Sequence, residues 1–302
     1  MKRCRFPFGG NLNARSGPDV LIGALSEALR ADPRFVPLTD DPPGAEEVDW
    51  HPALSPRLVA AVRAGRRCAI GPNALYGFSQ APGAEPVERE LMAFENYAAV
   101  FALSRWYVEL LRMTMAQRAG YALLDFPLPR AWAALPWTPQ TAGGALVYLK
   151  GGAAERGIAL ALLRGHARAR LIEYGRYARA ELLDAARRAE VCYYVSREEH
   201  FGLAAVEIGL MGCPIVSDEK CCPTVSHGLT GRLAAARERD TRAPFAWAPD
   251  AAERFRAECT AARAMDRTRI RQAVLARHDP YAAVARAAAA LDLEDPNDGG
   301  AS

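Results

Sequence analysis

The residues of this chain best suited to chemistry fall in two short stretches, Lys150–Gly157 and Ser196–Glu207. In the first, Lys150 is followed by Gly151-Gly152 and, six residues after the lysine, by Arg156 beside Gly157. Glycines let the backbone approach a ligand closely, and two cations around the opening of a helix match phosphate oxygens, so a pyrophosphate fits there. The plain alternative is a basic, solvated turn. In the second stretch, Ser196-Arg197-Glu198-Glu199-His200-Phe201-Gly202 leads into a helix. Its first amides, at Gly202 and Leu203, have no intrahelical partner and offer a second phosphate contact. Glu207 lies four residues past Leu203, on the same helix face. A carboxylate there repels phosphate but accepts two hydrogen bonds from vicinal hydroxyls, such as a ribose presents. Glu199, ahead of the helix, is left to face whatever hangs from the far phosphate. Two surface glutamates at a helix start would give the same spacing, so the spacing alone leaves both readings open.

These groups can meet only if their strands end at one edge of a sheet. Apolar runs of strand length at Ala145–Leu149, Ala169–Tyr174, Val191–Val195 and Pro214–Ser217 alternate with helical patterns at Gly157–Gly165, Ala178–Ala189 and Gly202–Met211. That alternation predicts a doubly wound, mostly parallel sheet, with ligands at the carboxyl ends of the strands. Upstream, Pro18–Leu29 carries apolar residues at helical spacing after the pair Gly9-Gly10. Cys68–Gly71 reads as a short strand before a turn at Gly71-Pro72-Asn73, and Ala98–Ser104 as a strand before the amphipathic Trp106–Met115. The proline-rich stretch Asp125–Thr141 reads as an interdomain linker. The expected division is a domain over 1–136, a second over 137–275, and a C-terminal helix with an acidic tail over 276–302 that returns to the first.

The string EEHFGLAAVEIGLMGCPIVSDE, residues 198–219, resembles the E-x7-E motif of GT-B-fold glycosyltransferases, most closely their GT4-like retaining family. Glu199, Phe201, Gly202, Glu207, Gly212, Pro214, Ile215, Val216 and Ser217 all stand where that family has its pattern. Lys150 and Arg156-Gly157 look like the family's basic pair, with the two cation types exchanged, and His227–Leu233 is similar to its closing turn. Phe8-Gly9-Gly10-Asn11, with Ser16-Gly17, resembles the glycine-rich loop that faces the transferred sugar, and Ala102–Trp106 resembles another family segment. Asn73 occupies the place where many members carry a histidine near the sugar, and Cys221-Cys222 stand where two glycines are usual.

The resemblance implies an α/β chain of two doubly wound, Rossmann-like domains facing a cleft, the GT-B architecture. It implies transfer of a sugar from a nucleotide-sugar donor to a small-molecule or glycan acceptor, with retention. Lys150 and Arg156 would contact the departing pyrophosphate and Glu199 would position the sugar. Tyr174-Gly175 and the Val195-Ser196 edge would approach the base, while Gly9, Gly10, Asn11 and Asn73 would lie on the sugar and acceptor side. The departing diphosphate would be supported by Lys150, Arg156 and the helix amides, so that neither a cofactor nor a metal is called for. A faint D-x-D-like alternative, Asp40-Asp41, is followed by Pro42-Pro43. Two rival readings share the architecture: a nucleotide-sugar epimerase, and a non-catalytic sugar-nucleotide-binding subunit.

Bulk properties narrow the classes further. Length 302 suits two domains, and half the residues are apolar, which suits packed cores. A net charge of +3 without interleaved aromatic and basic residues argues against a nucleic-acid partner. Charge is uneven, with nine Lys/Arg against four acids between Lys150 and Arg188. Seven cysteines without a repeated C-x-x-C spacing argue against a disulfide framework or zinc. His51, His166 and His278 have no ligand-spaced partners and read as core or surface residues. The absence of any long apolar run leads to the expectation of a cytoplasmic chain without a transmembrane segment.

Overall fold

A computed structural model describes residues 2–12, 17–41, 43–73, 85–125, 127–138, 143–197, 199, 201–218, 225, 228–238 and 246–293. The chain divides into two compact units, one of residues 1–132 with 278–302 and the other of residues 133–277. Ser16, Cys221, Cys222, His227 and residues 294–302 of the acidic tail lie outside the described residues.

The first unit contains β1 (Cys4–Phe6), α1 (Gly17–Leu29), β2 (Phe35–Pro37), β3 (Val48–Ala53), α2 (Pro56–Arg63), β4 (Cys68–Asn73), α3 (Glu85–Ala93), β5 (Ala99–Ala102), α4 (Arg105–Thr114), β6 (Tyr121–Leu123) and α5 (Arg130–Ala133). Its six strands are all parallel, in the order β2-β1-β3-β4-β5-β6. The helices start where local chemistry dictates. Ser55 caps α2 by accepting from the Leu58 amide at 3.1 Å, with Pro56 at the first helical position, and Ser104 caps α4 through Tyr107.

One face of this sheet is built around Trp50, whose ring lies 5.0 Å from Phe6 and 4.3 Å from Phe101. The other face packs Leu58, Ile70, Val100, Tyr107 and Leu111. The turn expected at Gly71-Pro72-Asn73 is instead strand, because β4 runs on to Asn73. Gly71 makes this continuation feasible: its φ of +101° favours glycine, a Cβ would come 2.2 Å from the Phe101 carbonyl, and its own carbonyl accepts from Trp50 Nε1 at 2.6 Å.

The second unit follows with β7 (Ala145–Lys150), α6 (Ala153–Arg164), β8 (Ala169–Glu173), α7 (Arg179–Arg188), β9 (Val191–Ser196), α8 (Leu203–Leu210), β10 (Ile215–Ser217), β11 (Gly231–Leu233), α9 (Ala251–Ala257), α10 (Cys259–Arg263) and α11 (Arg267–Arg277). Its strands are also parallel, ordered β11-β10-β9-β7-β8. The central strands β7 and β9 are buried along nearly their whole length, as strands covered on both faces must be, and this explains their unbroken apolar sequences. Helix α6 begins at Ala153, four residues before the expected start, so Arg156 and Gly157 lie inside it.

Helix α12 (Pro280–Ala290) places Ala283, Val284, Ala287 and Ala288 in the Trp50 core of the first unit. The Asp279 side chain caps it through the Ala282 amide at 2.8 Å. The five described cysteines are buried. No helix among the described residues is long and apolar enough to cross a membrane.

Candidate functional site

The carboxyl edge of the second sheet gathers most of the residues that the sequence singles out. β7 and β9 run side by side with Lys150 opposite Ser196, and the amide of Tyr174, just past β8, donates to the Leu149 carbonyl. Register alone therefore brings the ends of β7, β8 and β9 together. Lys150 Nζ lies 2.7 Å from Glu199 Oε2 and 5.0 Å from the centre of the Tyr174 ring. The other Glu199 oxygen accepts from the Tyr194 hydroxyl at 2.9 Å. Tyr194 stacks on Tyr148 with centroids 4.6 Å apart, which fixes the ring that holds the carboxylate. Glu199 is buried whereas Lys150 is partly open, so the ammonium is the member of the pair that faces solvent.

Helix α8 opens with Gly202 at φ +84°, ψ +59°, a left-handed conformation natural to glycine, and among the described residues no side chain caps it. The amides beyond it therefore start a helix with no acid in its first turn, which suits an anion. Phe201 is buried, Val195 and Ser196 are buried at the end of β9, and Tyr174 is half exposed. A Cβ on Gly175 would meet nothing within 4 Å, so the loop after β8 is open.

Glu207 is buried, one turn into α8, and its Oε1 lies 2.5 Å from Arg179 Nε at the start of α7. Burial pushes its carboxyl pKa up, against the opposing pull of Arg179. A carboxylate so placed, with one oxygen engaged by the guanidinium, is directed rather than freely solvated.

Arg156 departs from the expected arrangement. It does not join Lys150 but pairs with Glu173 at the end of β8. The reason is the early start of α6: Glu155, at the third helical position, accepts from the Gly152 amide at 2.8 Å, half of a capping box, and this sets Arg156 one position deeper on the helix. The opening of α6 thus already carries a carboxylate. Burial works against ionisation of Glu155, but bonds from Trp247 and the backbone, with Arg237 nearby, hold its carboxyl below the usual range.

Trp247 Nε1 donates to Glu155 at 2.7 Å, and the Arg237 guanidinium lies 3.5 Å from the Trp247 ring centre. Arg237 also pairs with Asp218 at 3.1 Å and donates to the Ser196 and Arg197 carbonyls. One buried arginine therefore braces the ends of β9 and β10 and, through Trp247 and Glu155, the turn after β7. Sequence reasoning missed Arg179, Tyr194, Glu155, Asp218, Arg237 and Trp247. The only signal for Arg179 was the excess of cations between residues 150 and 188.

The remaining expected residues lie in the first unit. Gly9, Gly10 and Asn11 follow β1 and pack on α1: the Gly9 amide donates to Ser26 Oγ at 3.0 Å, the Asn11 amide to the Asp19 carbonyl at 3.3 Å, and a Cβ on Gly10 would lie 2.2 Å from the Gly23 nitrogen. Asn73 is buried at the end of β4. The Asp40 carboxylate pairs with Arg57 at 2.7 Å, and the Asp41 carbonyl accepts from Arg5. Among the described residues no group of three His, Cys, Asp or Glu side chains is disposed to hold a metal.

No family model matches the chain, and no curated protein matches it in sequence. Solved structures do match. Anabaena HepE, in complex with UDP and glucose, aligns with a TM-score of 0.59 at 12% identity, over 97% of this chain and 100% of that one. Sucrose-phosphate synthase from Thermosynechococcus elongatus aligns with a TM-score of 0.52 at 15% identity, over 96% and 98%. AviGT4, a glycosyltransferase involved in avilamycin A biosynthesis, aligns with a TM-score of 0.51 at 11% identity, over 97% of both chains. The fold is that of GT-B glycosyltransferases, two parallel-sheet α/β units.

Proposed function

We propose that the chain is a glycosyltransferase of the GT4-like retaining kind, acting in the cytoplasm on a nucleotide-sugar donor and a small-molecule or glycan acceptor. The observation that carries this reading is the Lys150–Glu199 pair at the carboxyl edge of β7 and β9, with Glu207 buried one helical turn beyond the uncapped Gly202. A diphosphate reaching this edge competes with Glu199 for the Lys150 ammonium and meets the first amides of α8. Glu199, released from Lys150 and still held by Tyr194, is then an acceptor for hydroxyls of the transferred sugar. Glu207, oriented by Arg179, accepts from the ribose. Fixed cations and amides offset the charge that develops on the leaving diphosphate, a role that elsewhere can fall to a metal. Retention rests on the motif resemblance, metal independence on this set of donors.

HepE has been solved with UDP-glucose, which makes UDP and UDP-glucose the first ligands to try. Calorimetry with the full-length protein should show binding of both. Glu207→Ala should weaken UDP about tenfold or more, since ribose hydroxyls left without an acceptor in a partly buried site cost roughly 1–3 kcal/mol. Unchanged UDP affinity in that variant would remove the ribose assignment. Failure of a panel of nucleoside diphosphates to bind at all would remove the donor site.

A further inference from the structure

The first unit carries an open pocket of about 580 Å³, its two arginines exposed at the surface, that the site described above does not account for. It opens at the carboxyl ends of β1 and β2, where a doubly wound sheet binds ligands. Pro7, Phe8, Phe35, Pro37 and Leu38 make its apolar wall, and the charged groups in its lining are two guanidiniums, Arg30 and Arg57. No carboxylate lines it among the described residues.

The two arginines are held differently. Arg30 lies 5.4 Å from the centre of the Phe8 ring, and no described carboxylate pairs with it. Arg57 donates to the Leu38 carbonyl at 3.2 Å and pairs at 2.7 Å with Asp40, whose side chain is wholly exposed. An ion pair with a fully solvated aspartate is weak and readily exchanged for another anion. Apolar walls with a few convergent polar groups, in a volume of this size, are the usual make-up of a small-ligand pocket. Guanidiniums bind carboxylate and phosphate in forked geometry, so the polar end of the ligand is an anion. The aromatic and proline walls accept a ring or short hydrocarbon body.

We infer that this cavity binds a small molecule with an apolar body and one anionic group, carboxylate or phosphate, held by Arg30 and Arg57. If the chain is the transferase proposed above, that molecule is the sugar acceptor; its binding does not depend on that reading, its role does. Beyond β1 the chain passes through the pocket residues Pro7 and Phe8 directly into the Gly9-Gly10 loop.

The test titrates the full-length protein with 3-phenylpropionate, phenyl phosphate and the neutral 3-phenylpropan-1-ol, followed by calorimetry and ligand-observed NMR. Expected is binding of one or both anions, with the alcohol at least tenfold weaker, and the two anions separate a carboxylate site from a phosphate site. Arg30→Gln and Arg57→Gln should each weaken the bound anion about tenfold or more, the scale of removing one charged hydrogen bond. Equal binding of alcohol and acids, absence of binding by both anions, or anion binding indifferent to both substitutions would each overturn the site. A nucleoside diphosphate titrated into the same samples should bind equally well to wild type and variants. Anion binding without nucleotide binding would support the pocket while removing the donor reading, and nucleotide binding without anion binding would overturn the pocket alone.

Discussion

The two sheets of this molecule place charge in opposite ways. In the first, Arg5 and Asp49 sit opposite one another on β1 and β3 and form a two-pronged pair at 2.6 and 2.9 Å, with side chains only 4% and 1% exposed. Arg66 adds a third interaction at 3.4 Å, and His51 lies buried two residues along the same strand. In the second, Lys150 closes β7, and Glu199, Arg179, Glu207, Arg237 and Asp218 stand beyond the strands or on the helices that follow them. Charge inside a sheet acts on stability, because desolvated ions are strongly destabilising once a partner is removed. Charge at the strand ends is set for a ligand, because the edge where βα turns open is where one can enter. The comparison fails if either set, when removed, produces the effect assigned to the other.

The largest effect is expected from Asp49→Ala, which removes the two-pronged partner of the buried Arg5 and leaves it, among the described ion pairs, only Glu47, 4.0 Å away. Unfolding in urea should show a loss of about 3–5 kcal/mol. Nucleotide affinity of the folded fraction should be unchanged, and a specific loss of affinity without loss of stability would break the assignment of this pair to the fold.

His51 should give the next largest effect, and its sign follows from its pKa. Burial pushes that pKa down to about 4; Asp49 opposes this, and Arg57, Arg5 and Arg66 reinforce it. The unfolded chain therefore takes up a proton near pH 6.5 that the folded chain refuses until about pH 4. Stability from neutral His51 is complete above the upper value and drains away as pH falls towards the lower. At about 1.4 kcal/mol per pH unit the loss reaches roughly 3 kcal/mol. His51→Leu should be free of this component, so the stability difference between wild type and variant should change over that window. A constant difference would mean that His51 is protonated in the folded protein or exposed to water.

In the second unit, Lys150→Ala should lower kcat on the order of 100-fold, the scale seen when one preorganised donor to a developing anion is removed. Thermal stability should fall less than in Asp49→Ala, because the lysine is partly exposed and the buried Glu199 keeps its bond from the Tyr194 hydroxyl. Steady-state rates alongside a melting curve decide it. A variant that melts early and turns over normally would place Lys150 with Arg5 and Asp49, as a structural charge, and erase the contrast between the sheets.

Legibility in the sequence follows the same division. β7 and β9 could be read because ALVYL and VCYYV are unbroken apolar runs, and α1 and α4 because their apolar residues recur at helical spacing. β1 and β3 could not, because CRF and VDWHPA carry Arg5, Asp49 and His51, polar residues in buried strands, and the Arg5–Asp49 pair is satisfied across the sheet rather than along the chain. At the candidate site, strand ends and the motif resemblance together point to Glu199, Glu207 and Lys150, while spacing alone leaves them open. Arg179, Arg237 and Trp247 were not, since they reach the site only through tertiary approach, Trp247 bonding a residue 92 positions away. The start of α6 was misread because Gly151-Gly152 looked like a loop continuing to Gly157, whereas Glu155 closes the helix onto Gly152.

The smallest effect is expected from Arg156→Ala, and it sharpens the comparison inside the second unit itself. Arg156 and Lys150 look equivalent in sequence, two cations around a glycine turn. In the fold they are not: Lys150 is tied to the buried Glu199 carboxylate, the group assigned to the donor sugar in the proposal, while Arg156 is 44% exposed and paired with Glu173 on the outer strand. A solvent-exposed pair is worth about 0–1 kcal/mol, so Arg156→Ala should change stability by no more than that and turnover by only a few-fold. The Lys150→Ala, Arg156→Ala double variant should then resemble Lys150→Ala alone. If Arg156→Ala instead matches the loss seen at Lys150, the guanidinium must exchange Glu173 for the donor phosphates on binding, since in the ligand-free pairing it has no route to them. Kinetics of the Glu173→Gln variant would separate the two cases: freeing Arg156 from its partner should raise donor affinity if the arginine serves the phosphates, and leave it unchanged if it serves only the surface.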